Sequence, residues 1–213
     1  KTAKHILIEL GIYQSLPSKI KKVINLQSFE KFDDSDLTIQ DVVIGGPEVP
    51  KISLYNNLSK ICSKVWLIKE SFYYRDILDV KKEFTEFCLE KYHGIDKPGL
   101  YAIVANGEIP VKVEKNGKGG RNQHFAALML NELKNIDNFV FTSYATDGCD
   151  YIEGVHGALI TNETINMINN SKINVSDYIK LFNTFYLHER LGTLIKGPTT
   201  GTNCSDVYIF LFQ

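Results

Sequence analysis

Three short stretches of this sequence hold residue types that could carry chemistry. Gly117-Lys118-Gly119-Gly120-Arg121-Asn122-Gln123 sets glycines directly ahead of a run with helical periodicity. Glycines let a backbone approach an anion closely, and a helix start offers unpaired N–H groups and the positive end of a dipole. Arg121 adds a planar fork suited to phosphate or carboxylate. Neither the Walker A pattern nor the Rossmann Gly-x-Gly-x-x-Gly is present, so this stretch by itself also reads as a tight turn with a surface arginine. Thr146-Asp147-Gly148-Cys149-Asp150 follows a strand-like run. Carboxylates at the end of a strand lie where open α/β sheets bind ligands, and Asp147 and Asp150 are candidates to hold a divalent metal or orient a hydroxyl. An ordinary Asp-Gly turn is the alternative. Gly197-Pro198-Thr199-Thr200-Gly201-Thr202-Asn203 also follows a strand-like run and is rich in hydroxyls. Such a loop can wrap phosphate oxygens or serve as a turn. Gathered on one sheet edge, the three would make a phosphate-handling cleft.

The elements that must position these loops follow from periodicity. Helices are expected over Thr2–Leu10, stopped by Gly11, and from Pro17-Ser18 onward; Phe29 to Asp41 reads as an acidic, solvated linker. A strand at Asp41–Ile44, a helix carrying Leu54, Leu58, Ile61 and Cys62, a strand at Lys64–Ile68 and an amphipathic helix over Asp76–Tyr92 then alternate. Leu100–Val104 and Ile109–Val113 are expected to form a hairpin through Ala105-Asn106-Gly107-Glu108. Beyond the glycine loop, a helix from Arg121 to Lys134 leads to a strand at Asn138–Tyr144. Helices follow near Asn162–Ile168, Ser176–Leu181 and Thr184–Leu191, then strands at Thr193–Ile195 and Val207–Phe212. This order predicts an α/β fold with a mixed, partly parallel sheet flanked by helices. The expected division is a helical linker segment over 1–40 and an α/β domain over 41–213.

Composition narrows the class of protein. The 213 residues are 44% hydrophobic and 23% charged, which excludes a disordered chain. A net charge of -1 argues against a nucleic-acid binder held by a broad basic field. Apolar runs such as Val207–Phe212 are far shorter than the roughly 20 residues of a spanning helix, so no membrane partner is expected. Cys62, Cys88, Cys149 and Cys204 are scattered without zinc-finger spacing, which fits free thiols in the reducing cytoplasm. No signal peptide is visible, and a start at Lys1 within a helical pattern suggests a piece of something longer. His5, His93, His156 and His188 read as surface or core residues rather than ligands.

Taken in order, these motifs resemble a known family. Gly119-Gly120-Arg121-Asn122-Gln123, Ala145-Thr146-Asp147-Gly148, Gly157-Ala158, Gly197–Asn203 and Asp206 are similar to the C-terminal half, or MOFRL domain, of the glycerate 2-kinase family. Asn106-Gly107-Glu108 and Ile44-Gly45-Gly46 fall in the expected order too. The resemblance implies ATP-dependent phosphorylation of D-glycerate at its 2-hydroxyl, giving 2-phosphoglycerate, with Mg2+. It implies Arg121 and Asp147 as catalytic residues and Asp147 and Asp150 at the metal. Gly119, Gly120, Asn122, Gln123, Thr199, Thr202 and Asn203 would bind the nucleotide phosphates. It further implies an N-terminal Rossmann-like domain, in the same or a second chain, completing the cleft; a homodimer is another candidate assembly. The sequence departs from the pattern at His124, where the family usually has Glu, and at Tyr151, where it usually has Gly. Such changes leave a non-catalytic module that retains the fold as the alternative, with a hydroxypyruvate reductase further behind because no dinucleotide fingerprint is present.

Overall fold

In the computed structural model, residues 3–25 and 46–213 are described. The chain divides into two compact units, Lys1–Val43 and Ile44–Gln213. The expected strand at 41–44 and the acidic stretch before it lie outside the described residues. In the first unit, helix α1 (Ala3–Glu9) ends at Gly11, whose φ of 68° is the left-handed conformation a glycine adopts without strain. A 3-10 turn (Tyr13–Ser15) and helix α2 (Ser18–Ile24) follow. Asn25 ties them together, accepting from Lys4 Nζ and donating to the Tyr13 hydroxyl.

The second unit is built on one sheet. Its elements run α3 (Glu48–Leu58), β1 (Lys64–Leu67), β2 (Phe72–Tyr73), α4 (Ile77–His93), β3 (Tyr101–Glu108), α5 (Arg121–Glu132), β4 (Phe139–Ala145), β5 (Cys149–Asp150), β6 (Ile152–Glu153), β7 (Val155–Thr161), α6 (Asn162–Asn169), α7 (Val175–Lys180), α8 (Thr184–Leu191), β8 (Leu194–Lys196) and β9 (Asp206–Phe212). The order β1-β3-β9-β4-β7-β8 is parallel at β1–β3 and antiparallel elsewhere along that path; β2 adds to β3 in parallel, and β5–β6 form a separate ribbon. This is the mixed, partly parallel sheet flanked by helices that the motif order predicts. Among the described residues no helix is long and apolar enough to cross a membrane.

Two expectations need correction. Tyr101–Glu108 is a single strand, not the first arm of a hairpin, and 109–113 form no strand. Asn106-Gly107 stays extended because β9 pairs along it as far as Gly107–Asp206 while β2 pairs through Phe72–Gly107. A Cβ at Gly107 would collide with the Phe72 backbone, so this glycine serves close strand approach rather than a turn. The second correction is β7, which periodicity did not reveal. Val-His-Gly-Ala-Leu-Ile-Thr is buried on nearly every residue and so lacks the alternation of a half-exposed strand.

Strand register explains the core. Tyr101, Phe212 and Phe139 lie level across β3, β9 and β4, as do Ile103, Phe210 and Phe141 one step along. Period-2 alternation sends these rows to one face, where they join Phe84 of α4 and Phe125 of α5 in the buried core. Phe84 and Phe125 each meet Phe141 edge-on, at centroid distances of 5.6 and 5.9 Å. Helix α4 starts cleanly because the Asp76 carboxylate accepts from Leu78 N at 2.8 Å. Replacing Phe141 by Ala is expected to lower the unfolding free energy by about 3–5 kcal/mol. Leu159→Ala, on a more exposed site, should cost less than about 1 kcal/mol. Urea titration of both variants checks the difference.

Candidate functional site

Antiparallel pairing brings the ends of β3, β4 and β8 and the starts of β7 and β9 to one edge of the sheet. Gly107 and Ala145 both stand opposite Asp206, and Val155 stands opposite Lys196. Loops leaving that edge enclose a cleft of about 660 Å³. Gly119, Gly120, Arg121, Asp147, Asp150 and Asn203 all line it, so each of the three motif loops contributes.

Arg121 opens α5 and points at the sheet edge. Its Nε and one Nη donate to the two carboxylate oxygens of Asp206, the second at 3.0 Å, and the other Nη lies 3.4 Å from Glu108. Asp206 shares its strand face with Tyr208, Phe210 and Phe212, so alternation buries its carboxylate under α5. Burial pushes the Asp206 carboxyl above the usual carboxylate range, and Arg121 pulls it back. For Arg121, burial works against the charge, but Asp206 and Glu108 outweigh it, and the guanidinium stays protonated. A buried carboxylate facing a fork of N–H groups fixes the plane of the guanidinium.

Asp150 does a different task from the one expected of it. Its carboxylate accepts from the backbone N–H groups of Asn122 (3.0 Å) and Gln123 (2.9 Å) and from both of their side-chain amides. Gly120, the residue before α5, has no side chain to cap the helix, so a carboxylate 28 positions beyond Asn122 does it. A Cβ at Gly120 would overlap that carboxyl. Burial raises the Asp150 pKa while the four N–H donors lower it. Asn122 and Gln123 are thereby turned inward, Asn122 also accepting from Ser143 Oγ at 2.6 Å, and neither lines the cleft.

Asp147 sits at the cleft with Oδ1 accepting from Cys149 N at 2.9 Å. The third loop is stitched to the second through Thr146, whose hydroxyl donates to Ser205 O and accepts from Cys204 N. Thr200 donates to the carbonyls of Thr146 and Asp147. Asn203 reaches the cleft, whereas Thr199 and Thr202 are exposed and do not line it. Among the described residues no three His, Cys, Asp or Glu side chains are grouped to hold a metal ion. Both Asp150 oxygens accept from groups at the start of α5, and Asp147 and Asp150 both line the cleft.

Several residues that the fold brings here had no site role assigned from the sequence, although Glu108 and Asp206 belong to the matched motifs. Glu108 and Asp206 had a legible signal, since each is an acid at the end of an apolar strand. Phe182, in the α7–α8 connection, and Thr184, the first residue of α8, had none, because tertiary packing alone carries that segment onto the glycine loop. Asn183 Oδ1 accepts from Lys118 N at 3.1 Å, and Phe185 N donates to Lys118 O at 2.9 Å. His188 is fully buried between Thr193 Oγ1 and Gln123 O, both at 2.8 Å, and burial lowers its pKa to about 4.

Residues 101–206 match the MOFRL family. A D-glycerate 2-kinase from Thermotoga maritima is 27% identical over 172 residues, 76% of this chain and 41% of that protein. A glycerate 2-kinase from Sulfurisphaera tokodaii is 35% identical over 112 residues, 51% of this chain and 27% of that protein. A solved glycerate kinase structure from Thermotoga maritima superimposes with a TM-score of 0.70 at 23% identity, over 99% of this chain and 50% of the other, and this likeness is one of fold. The chain spans less than half the length of these curated relatives.

Two outcomes follow from the buried polar groups. Asp150→Ala leaves two buried N–H groups of α5 unpaired and should cost about 3 kcal/mol in urea unfolding, with Asp150→Asn intermediate. His188 has a folded pKa of about 4 against an unfolded value of 6.5, so its stabilisation is complete above pH 6.5 and is lost as pH falls toward 4. In His188→Asn the slope of unfolding free energy against pH between these values should drop by one proton, about 1.4 kcal/mol per pH unit. An unchanged slope would show that His188 is already protonated in the native state.

Proposed function

Residues 101–206 make this chain a member of the MOFRL family, and from that premise we propose that the protein is a glycerate kinase. It transfers the γ-phosphoryl group of ATP to the 2-hydroxyl of D-glycerate, giving 2-phosphoglycerate and ADP. The observation that carries the reading is the convergence of all three motif loops on one cleft around the oriented guanidinium of Arg121. Because the relatives are about twice as long, residues 1–40 are read as the link to an N-terminal Rossmann-like domain that closes the cleft from the other side.

Phosphoryl transfer asks a protein for position and charge compensation rather than for covalent intermediates. Asp206 holds one edge of the Arg121 fork, and the edge beside Glu108 remains as the contact for an anion. The Glu108 pair is loose at 3.4 Å, with both side chains about one-third exposed, so an incoming carboxylate or phosphoryl oxygen can displace it. Asp147 orients the acceptor hydroxyl through the oxygen that Cys149 N does not use. The hydroxyl oxygen forms the new bond to phosphorus, the bond from phosphorus to the nucleotide's bridging oxygen breaks, and the hydroxyl proton leaves by way of Asp147. Gly119 and Gly120 let the loop close onto Thr184 and Asp150, where a Cβ would collide, and so bring its backbone to the cleft. Asn122 and Gln123 act one step back, holding Asp150 and the helix start in place, and Thr146 and Thr200 do the same for the third loop.

The test is ATP-dependent formation of 2-phosphoglycerate by the full-length protein. Arg121→Lys keeps the charge beside Asp206 but loses the planar fork, and turnover should fall on the order of 10²-fold with the unfolding midpoint little changed. Unchanged turnover would remove Arg121 from the reaction. Failure of the unaltered full-length protein to phosphorylate D-glycerate would favour the non-catalytic module.

A further inference from the structure

His124 follows Arg121 by three residues on α5, so the two side chains lie on the same side of the helix, about 5–6 Å apart at Cβ. Both line the cleft. The imidazole is 7% exposed and stacks on Phe182 with centroids 5.3 Å apart and planes at 15°. Behind this stack lies a second cavity of about 780 Å³, which shares Pro110, Val111, His124 and Phe182 with the first. The stacked pair lines both cavities.

Neither ring nitrogen of His124 has a hydrogen-bond partner among the described residues. Burial lowers its pKa to about 4, so near neutral pH one nitrogen donates and the other accepts. In the same cleft the Thr184 hydroxyl is buried and has no hydrogen-bond partner among the described residues. Buried polar groups are nearly always paired in native proteins, so the Thr184 hydroxyl points to a ligand that pairs with it, and the imidazole nitrogens in the same cleft are not sealed off from that ligand. A neutral imidazole suits an uncharged hydroxyl better than a second anion or a cation.

We propose that His124 reads an uncharged hydroxyl of the substrate, hydrogen-bonding the hydroxymethyl group of a short hydroxy acid whose anionic end is held by Arg121. This rests on the glycerate kinase reading and adds to it a residue that sets specificity. D-lactate has the carboxylate and 2-hydroxyl of D-glycerate but a methyl in place of the hydroxymethyl group. It should therefore leave His124 unpaired.

The experiment compares kcat/KM for D-glycerate and D-lactate in the full-length protein. A site built to hydrogen-bond a hydroxyl should prefer D-glycerate by about 10³-fold or more. His124→Phe keeps the ring and its stack on Phe182 but removes the nitrogens, so the preference should collapse to within about tenfold. His124→Gln should restore part of it. In parallel, ring-nitrogen NMR of the unaltered protein should show the His124 signal, identified by its loss in His124→Gln, moving with D-glycerate and staying still with D-lactate. This second readout needs binding but no turnover. A retained preference in His124→Phe, or a His124 signal that ignores D-glycerate at saturation, would overturn the inference while leaving the kinase reading intact. Absence of phosphorylation with either acid would overturn the kinase reading, and a signal that still moved would keep His124 as a hydroxy-acid contact.

Discussion

The bond between the Asp150 carboxylate and the first turn of α5 is the constraint on which the rest of this architecture depends. An α-helix begins with N–H groups that have no partner within the helix. Here glycines precede the helix and cannot supply a cap, so the partner comes from β5. That one carboxylate fixes where α5 starts, how deep the glycine loop lies and how far the loop after β4 stands from it. The negative charge also meets the positive end of the helix dipole, which offsets part of the cost of burying it.

With α5 anchored, Arg121 is projected over the end of β9, where strand alternation has already turned Asp206 toward the helices. Two buried carboxylates thus have opposite partners: Asp150 a set of neutral N–H donors, Asp206 a guanidinium. The first holds backbone in place and the second orients a charge. An arginine held this way has little rotamer freedom left to lose when an anion arrives, which is the physical meaning of a preorganised clamp.

Another part of the cleft lining is of a different character. His124, Phe182 and Thr184 come from α5, from the connection between α7 and α8 and from the start of α8, and His124 and Phe182 are joined by ring stacking. A charged, tightly paired set of residues and a neutral set in one cleft suit a small ligand that is anionic at one end and merely polar at the other.

Much of this was legible in residue order. The glycine loop ahead of a helix at Arg121 was read from the sequence, and the strand at Val207–Phe212 announced itself through an unbroken apolar run. Helix α8 was expected at its observed bounds, because its apolar spacing and Gly192 are local signals that tertiary structure had no reason to override. The hairpin expected at residues 100–113 failed because Asn106-Gly107 is a turn signal only when no neighbouring strand claims it, and β9 and β2 both do. Likewise Asp150 looked like a metal ligand and Asn122 and Gln123 like phosphate donors, since residue type fixes what a group can bond but not which partner reaches it first. The sequence by itself determined the chemistry on offer and the loops that carry it. Only tertiary structure decided that Asp150 would meet the helix start, that Asp206 would grip Arg121 and that His124 would be left unpaired, because those contacts join segments tens of residues apart.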